Sequence, residues 1–210
     1  MAKNNNNQVF ERRPQDFYPT PVKPTKILLP YLKPKTKFVE PCCGDGQLIR
    51  NLEAEGHKCT FASDIEDRGY PDAAVKDGML LTEADCKGAT HIISNLPWKP
   101  NMLHPLLKHF VSLRPTWILL YTDWLFTEHP ILFKGQIVKV VAVGKVKWIA
   151  ESTHEGKENS GWYLFDKDHN GEIILIPKQV KARKGVLPKA PTASGTSSKP
   201  PRPKAVKHKL

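Results

Sequence analysis

The sequence predicts an α/β fold whose sheet is mostly parallel, with an antiparallel hairpin at one edge. Two observations carry this. Through the first two thirds of the chain, short apolar runs alternate with stretches of helical periodicity. Near the end, GWYLFD and EIILIP read as two strands around KDHNG, a hairpin signal.

The elements follow in order. Residues 14–36 are Pro-rich, with a short amphipathic piece near 25–32. A strand is expected over 37–40, running into EPCCGDG. A helical pattern spans 47–55, with Leu48, Ile49 and Leu52 on one face and Gly56 as its stop. KCTFASDI reads as a second strand ending at Asp64, and 65–89 as mostly loop. THIISN is a strand, 101–113 a helix, TWILLYT a strand and DWLFTEHP a short helix. GQIVKVVAVGKVKWI is strand-like with a break at Gly144. There is no internal repeat.

The 210 residues suffice for one domain with a sizeable core. No apolar run approaches the roughly 20 residues of a membrane span, and MAKNNNNQVF contains no signal-like apolar stretch. The four cysteines, Cys42, Cys43, Cys59 and Cys86, lack C-x-x-C spacing. Neither a zinc site nor a disulfide framework follows, which suits a reducing cytoplasm.

The formal charge of +11 is unevenly placed. Residues 178–210 hold ten Lys/Arg and no Asp/Glu, whereas the chain up to Pro177 holds 22 basic and 21 acidic residues. The tail is rich in Pro, Ser, Lys and Gly and is expected to be disordered. A basic arm of this kind suits a polyanion such as nucleic acid; a solubilising tail with no fixed partner is the plain alternative.

The chemistry-bearing residues gather at strand ends. In VEPCCGDGQLI a strand ends at Glu40, and Gly44 and Gly46 precede a helix. Glycines there let backbone approach a ligand, and the helix start offers free N–H groups. Asp64 ends the next strand, where an acid in a doubly wound sheet accepts from ribose hydroxyls. SNLPW, Ser94 to Trp98, ends a third. Asn and Pro end any strand well, but an amide, a rigid turn and a flat aromatic also grip a planar molecule. All three features fall on the carboxyl rim, where such sheets bind ligands.

In these segments the chain resembles the S-adenosylmethionine-dependent amino-methyltransferases, and within them the small phage-type DNA N6-adenine methyltransferases. FYPTP (Phe17 to Pro21) resembles the family's N-terminal Phe/Tyr-x-Thr-Pro element. EPCCGDG resembles its Asp/Glu-Pro-x-x-Gly-x-Gly cofactor loop, and SNLPW its Asn/Asp-Pro-Pro-aromatic catalytic tetrapeptide. GWYLFD resembles a segment near the end of the small phage enzymes. The resemblance covers residues 16 to about 177. Leu96 departs from it, standing where the family usually has proline, and the chain has little room for a separate target-recognition region.

The resemblance implies a Rossmann-like class I methyltransferase domain over 14–177, between a disordered N-terminus, 1–13, and the basic tail, 178–210. It implies S-adenosyl-L-methionine as cofactor and no metal. Thr20 would take the methionine carboxylate, and Glu40, Gly44 and Gly46 would shape the loop around the methionine part. Asp64 would hold the ribose, Ile65 would pack on the cofactor's adenine, and Asp77 would accept from its amine. Asn95 and the Leu96 carbonyl would accept from the target amine, in a tetrapeptide completed by Pro97 and Trp98. Trp98 would stack on the base, with Trp148 a candidate for its opposite face. The implied partner is nucleic acid, DNA first, met by the active-site rim and the basic tail. The implied location is the cytoplasm, that of a bacterial host if the chain is phage-encoded. An RNA base or a protein glutamine amide is the alternative substrate, and a weakly active nucleic-acid-binding protein keeping the fold is the alternative outside catalysis.

Overall fold

The computed structural model describes residues 17–150 and 152–178. The expectations for the N-terminus, 1–13, and for all but the first residue of the basic tail lie outside them.

Eight strands form one sheet in the order β3-β2-β1-β4-β5-β7-β6-β8. They are β1 (Lys37–Glu40), β2 (Lys58–Asp64), β3 (Ala73–Val75), β4 (His91–Ser94), β5 (Thr116–Tyr121), β6 (Ile137–Lys145), β7 (Asn159–Phe165) and β8 (Ile174–Ile176). The helices are α1 (Val22–Leu28), α2 (Gln47–Glu53) and α3 (Pro100–Leu113). Strands β1 to β5 pair in parallel. Strand β7 runs antiparallel to both its neighbours, β5 and β6, and β8 joins β6 in parallel.

The central strands β4 and β5 are buried along most of their length because both faces are covered, while β2 is buried only over its last three residues. Alternate residues enter opposite cores. Ile92, Ile118, Leu120 and Tyr163 pack with Leu103, Leu107 and Phe110 of α3. Ile93, Trp117, Leu119 and Trp162 pack with Leu28 of α1 and with Leu48, Ile49 and Leu52 of α2. Gly56 adopts φ +85° after α2, the left-handed conformation that ends a helix. Among the described residues no helix is long and apolar enough to cross a membrane.

Three sequence expectations are corrected in detail. The segments 161–166 and 172–177 do not pair with each other. The antiparallel hairpin is β6–β7, and β8 crosses over to the far side of β6. Trp162, Tyr163 and Phe165 are all buried, so β7 belongs inside the sheet with both edges paired; Ile174 and Leu175 are exposed, as an edge permits. The break at Gly144 is a register shift within one continuous strand, with Gly144 at φ +82°. The short helix after β5 is two 3₁₀ turns, Thr122–Phe126 and His129–Phe133. The loop 65–89 also contains β3, three residues long.

Candidate active site

The carboxyl ends of β1, β2 and β4 line one cleft of about 760 Å³, counting the space at its open mouth. The segment Phe17–Thr20 lies across it. Of the residues expected to hold a cofactor, Thr20, Glu40, Gly44, Asp64, Ile65 and Asp77 line the cleft, and Gly46 lies just behind it at the start of α2.

The glycine turn is shaped by its neighbours. Gly44 (φ +54°) and Gly46 (φ +78°) are both left-handed. A side chain on Gly44 would meet the Phe17 ring, and one on Gly46 the Tyr70 ring. Asp64 fixes this turn, its Oδ2 accepting the Gly44 amide at 2.8 Å and its Oδ1 the Glu66 amide at 3.2 Å. Arg68 Nε stands 3.5 Å from Asp64 Oδ1, and its guanidinium lies 4.4 Å from the centre of the Phe17 ring. A carboxylate has about four lone-pair directions, so Asp64 retains acceptor capacity beyond these bonds.

Glu40 is the anomalous group. It is 2 % exposed, and among the described residues its Oε2 has no hydrogen-bond partner. Burial, reinforced by the negative charges of Asp64 and Asp45, pushes its carboxyl well above the usual range. The Asp77 carboxylate accepts the Met79 amide at 2.9 Å and caps a 3₁₀ turn, while Ile65 is 53 % exposed and presents a bare apolar side chain. The cleft thus has an acid-rich floor and one buried acceptor waiting for a donor, a fit for a cationic ligand with an apolar ring.

A second pocket adjoins the first. It is lined by Tyr18, Asn95, Leu96, Trp98, Trp148 and the 156–158 segment. Tyr18 and Asn95 belong to both. Asn95 Nδ2 donates to the Tyr18 carbonyl at 3.3 Å. A carbonyl can only accept, so the amide nitrogen must face it, and Oδ1 is turned away. Trp98 is anchored by its Nε1 donating to the Leu119 carbonyl at 3.1 Å. Pro97 borders the first cleft, and Leu96 buries its side chain in the core that also holds Ile118 and Leu120.

Trp148 reaches this pocket, but its plane stands at 85° to Trp98 with centroids 5.5 Å apart. The two indoles make a corner, not parallel walls. The sequence reading missed Arg68 and Tyr18. Arg68 carries no motif, and Tyr18 lay inside FYPTP without a role. The Cys42 thiol faces the cleft and is pushed well above its usual range, by burial first and then by Asp64 and Glu40.

No family model and no curated relative matches the chain. Solved structures do. A candidate RNA methyltransferase from Pyrococcus horikoshii superposes with a TM-score of 0.55 at 13 % identity, over 72 % of this chain and 87 % of its own. A Thermoplasma acidophilum protein does so with a TM-score of 0.50 at 12 % identity, over 68 % and 85 %. Likeness at such identities speaks of architecture, and the strand order with its one reversed strand agrees: the chain has the Rossmann-like class I methyltransferase fold.

Proposed function

We propose that the protein is an S-adenosylmethionine-dependent methyltransferase acting on the exocyclic amine of adenine in nucleic acid, with DNA as the nucleic acid. The observation that carries this is the position of Asn95, which borders both the acid-floored cleft and the aromatic corner. A methyl donor in one and an amine in the other would meet at its side chain.

The cofactor, when bound, supplies an electrophilic methyl group on a sulfonium. The chain's residues would hold it as the cleft suggests. Thr20 and the Gly44–Gly46 turn would take the amino-acid end, Asp64 the ribose, and Ile65 and Asp77 the base. Glu40 would gain a donor for its Oε2, since the ligand carries an ammonium as well as a sulfonium.

On the target side, an adenine amine is a poor nucleophile because its lone pair is shared with the ring. Asn95 Oδ1 and the Leu96 carbonyl would accept its two N–H bonds, as befits two residues that line the aromatic pocket. Accepting both favours a pyramidal nitrogen and aims its lone pair at the cofactor cleft. This is positioning and fixed electrostatics, with no covalent intermediate. Trp98 offers a face for the base. A base within a duplex has to leave its stack to reach this corner.

Labelled cofactor offered with DNA, RNA and protein pools tests the reading, and label in DNA adenine is expected. Label confined to RNA or to protein glutamine moves the proposal to that substrate; no label anywhere, with no cofactor binding by calorimetry, ends it.

A further inference from the structure

The connection between β6 and β7 enters the aromatic pocket from the antiparallel side of the sheet, bringing Trp148, Gly156, Lys157 and Glu158 to its wall. Gly156 is where this connection closes on itself, its amide donating to the Val146 carbonyl at 2.7 Å. Its α-carbon lies against the Trp148 indole. A β-carbon added there would stand 3.0 Å from Trp148 Cδ1, 3.1 Å from Nε1 and 3.1 Å from the Val146 oxygen. The oxygen is held in the hydrogen bond, so the indole is what would have to yield. Gly156 is not among the left-handed glycines, so what the site demands of it is room, not conformation.

The indole meets Trp98 and Tyr18, the latter at 6.4 Å between centroids and 58° between planes. It is therefore clasped between the Gly156 backbone and the other aromatic walls. A second clasp comes from α1. Lys23 Nζ donates to the Lys145 carbonyl at 2.6 Å and pairs with Glu155 at 3.1 Å. Lys23 follows Thr20 by three residues. One cation thus ties α1, which follows the Phe17–Thr20 segment, to the connection that walls the target pocket.

We propose that Gly156 and Lys23 are positioning residues for the target base. By holding Trp148 edge-on to Trp98, they maintain a corner that seats a planar conjugated ring in preference to a flexible amide side chain. A ring lying on one indole is bounded at its rim by the other, and stacking rewards a flat π-face whatever its sequence context. The inference rests on the second pocket being the target site, as proposed above.

The test compares binding of an oligodeoxyadenylate of about 20 nucleotides with that of its abasic counterpart, since stacking of bases on aromatic side chains is what separates them. The full chain and its Gly156→Ala, Trp148→Ala, Trp148→Phe, Lys23→Met and Lys23→Arg variants are used, each checked for folding by circular dichroism. The wild type is expected to prefer the base-bearing strand by about tenfold or more. Gly156→Ala and Trp148→Ala should lose most of that preference and Lys23→Met a smaller part of it, since the Lys23–Glu155 pair is about half exposed, while Trp148→Phe and Lys23→Arg retain most of it. Calorimetric cofactor affinity of Gly156→Ala should stay within about twofold, and its KM for nucleic acid should rise more than its kcat falls. A folded Gly156→Ala with wild-type preference and KM overturns the inference. So does a wild type that binds cofactor but treats the two strands alike, and that result leaves the cofactor reading standing. A wild type that prefers the base-bearing strand yet binds no cofactor overturns the methyltransferase reading instead, and supports the corner as a base site.

Discussion

The acid that ends β2 holds the turn that ends β1: Asp64 Oδ2 accepts the Gly44 amide at 2.8 Å. Its other oxygen accepts the Glu66 amide and faces Arg68. A residue expected to serve the ribose therefore also builds the site. Asp64→Ala removes an acceptor from a buried amide, which costs about 1–3 kcal/mol of stability. Asp64→Asn keeps one acceptor oxygen and should lose less. Both should weaken cofactor binding, alanine more. Urea unfolding and calorimetry read the two effects separately, and an alanine variant with an unchanged unfolding midpoint would show that the bond does not hold the turn.

Glu40 should make the free protein less stable as pH rises. Its folded-state pKa is raised, by burial first and then by Asp64 and Asp45. A raised carboxyl contributes stability that is fully present below its unfolded value, about 4.3, and lost as pH rises through the folded value. Glu40→Gln removes this dependence. Its melting temperature relative to wild type should therefore climb as pH rises above the unfolded value of about 4.3, while its affinity for a cationic cofactor falls. A difference in melting temperature that does not vary with pH would sink the assignment.

Much of the parallel half was legible because β4 and β5 are covered on both faces and leave apolar runs, and β1 and β2 are buried where they approach the rim. Glu40, Asp64 and Asn95 were legible for a related reason, since each follows such a run and must lie on the carboxyl rim. What escaped was non-local. KDHNG is a sound local reversal, yet β7 pairs with β5 and β6, and its Trp162, Tyr163 and Phe165 are buried across the whole sheet. Strand β3 is three residues long and lies at an edge, too short for any period. Arg68 meets Phe17 across a span no spacing rule covers. Gly156 reads as an ordinary loop glycine until Trp148 is seen against it.

Acid should loosen the turns that follow β5. Trp124 Nε1 donates to His104 Nε2 at 3.2 Å, so that nitrogen must be unprotonated. Burial first, and the neighbouring His129 second, lower the His104 pKa; the two imidazole rings are 4.5 Å apart. A lowered histidine contributes stability present above its unfolded value, about 6.5, and lost as pH falls through the folded value. The emission of Trp124 should shift before global unfolding as pH drops below about 6.5, and His104→Gln, which keeps an acceptor for the indole, should reduce the shift. Equal acid profiles for the two proteins would place the sensitivity elsewhere, with His57 and His91, both also lowered by burial, as the next groups to substitute.

Leu96 stands where the resemblance has proline, and the structure supplies a reason for leucine. Its side chain is 2 % exposed and packs in the core that holds Ile118, Leu120 and Leu103. Rigidity that a proline ring would give the tetrapeptide comes here from packing, together with the anchored Trp98 indole two residues on. Leu96→Ala should therefore cost about 2–5 kcal/mol, as buried leucines do when a cavity is left behind. Leu96→Pro should also destabilise, because the smaller ring leaves part of that volume unfilled and fixes the backbone where packing already does so. Neither substitution removes the residue 96 carbonyl, the group proposed to accept from the target amine. Turnover per folded molecule should thus fall far less than in Asn95→Ala, which deletes the other acceptor and should abolish transfer while leaving cofactor affinity within about twofold. Denaturant titrations give the stabilities, and turnover normalised to cofactor-binding sites gives the activities. A proline variant that is both more stable and more active than wild type would mean that Leu96 weakens the tetrapeptide and that its burial does not compensate.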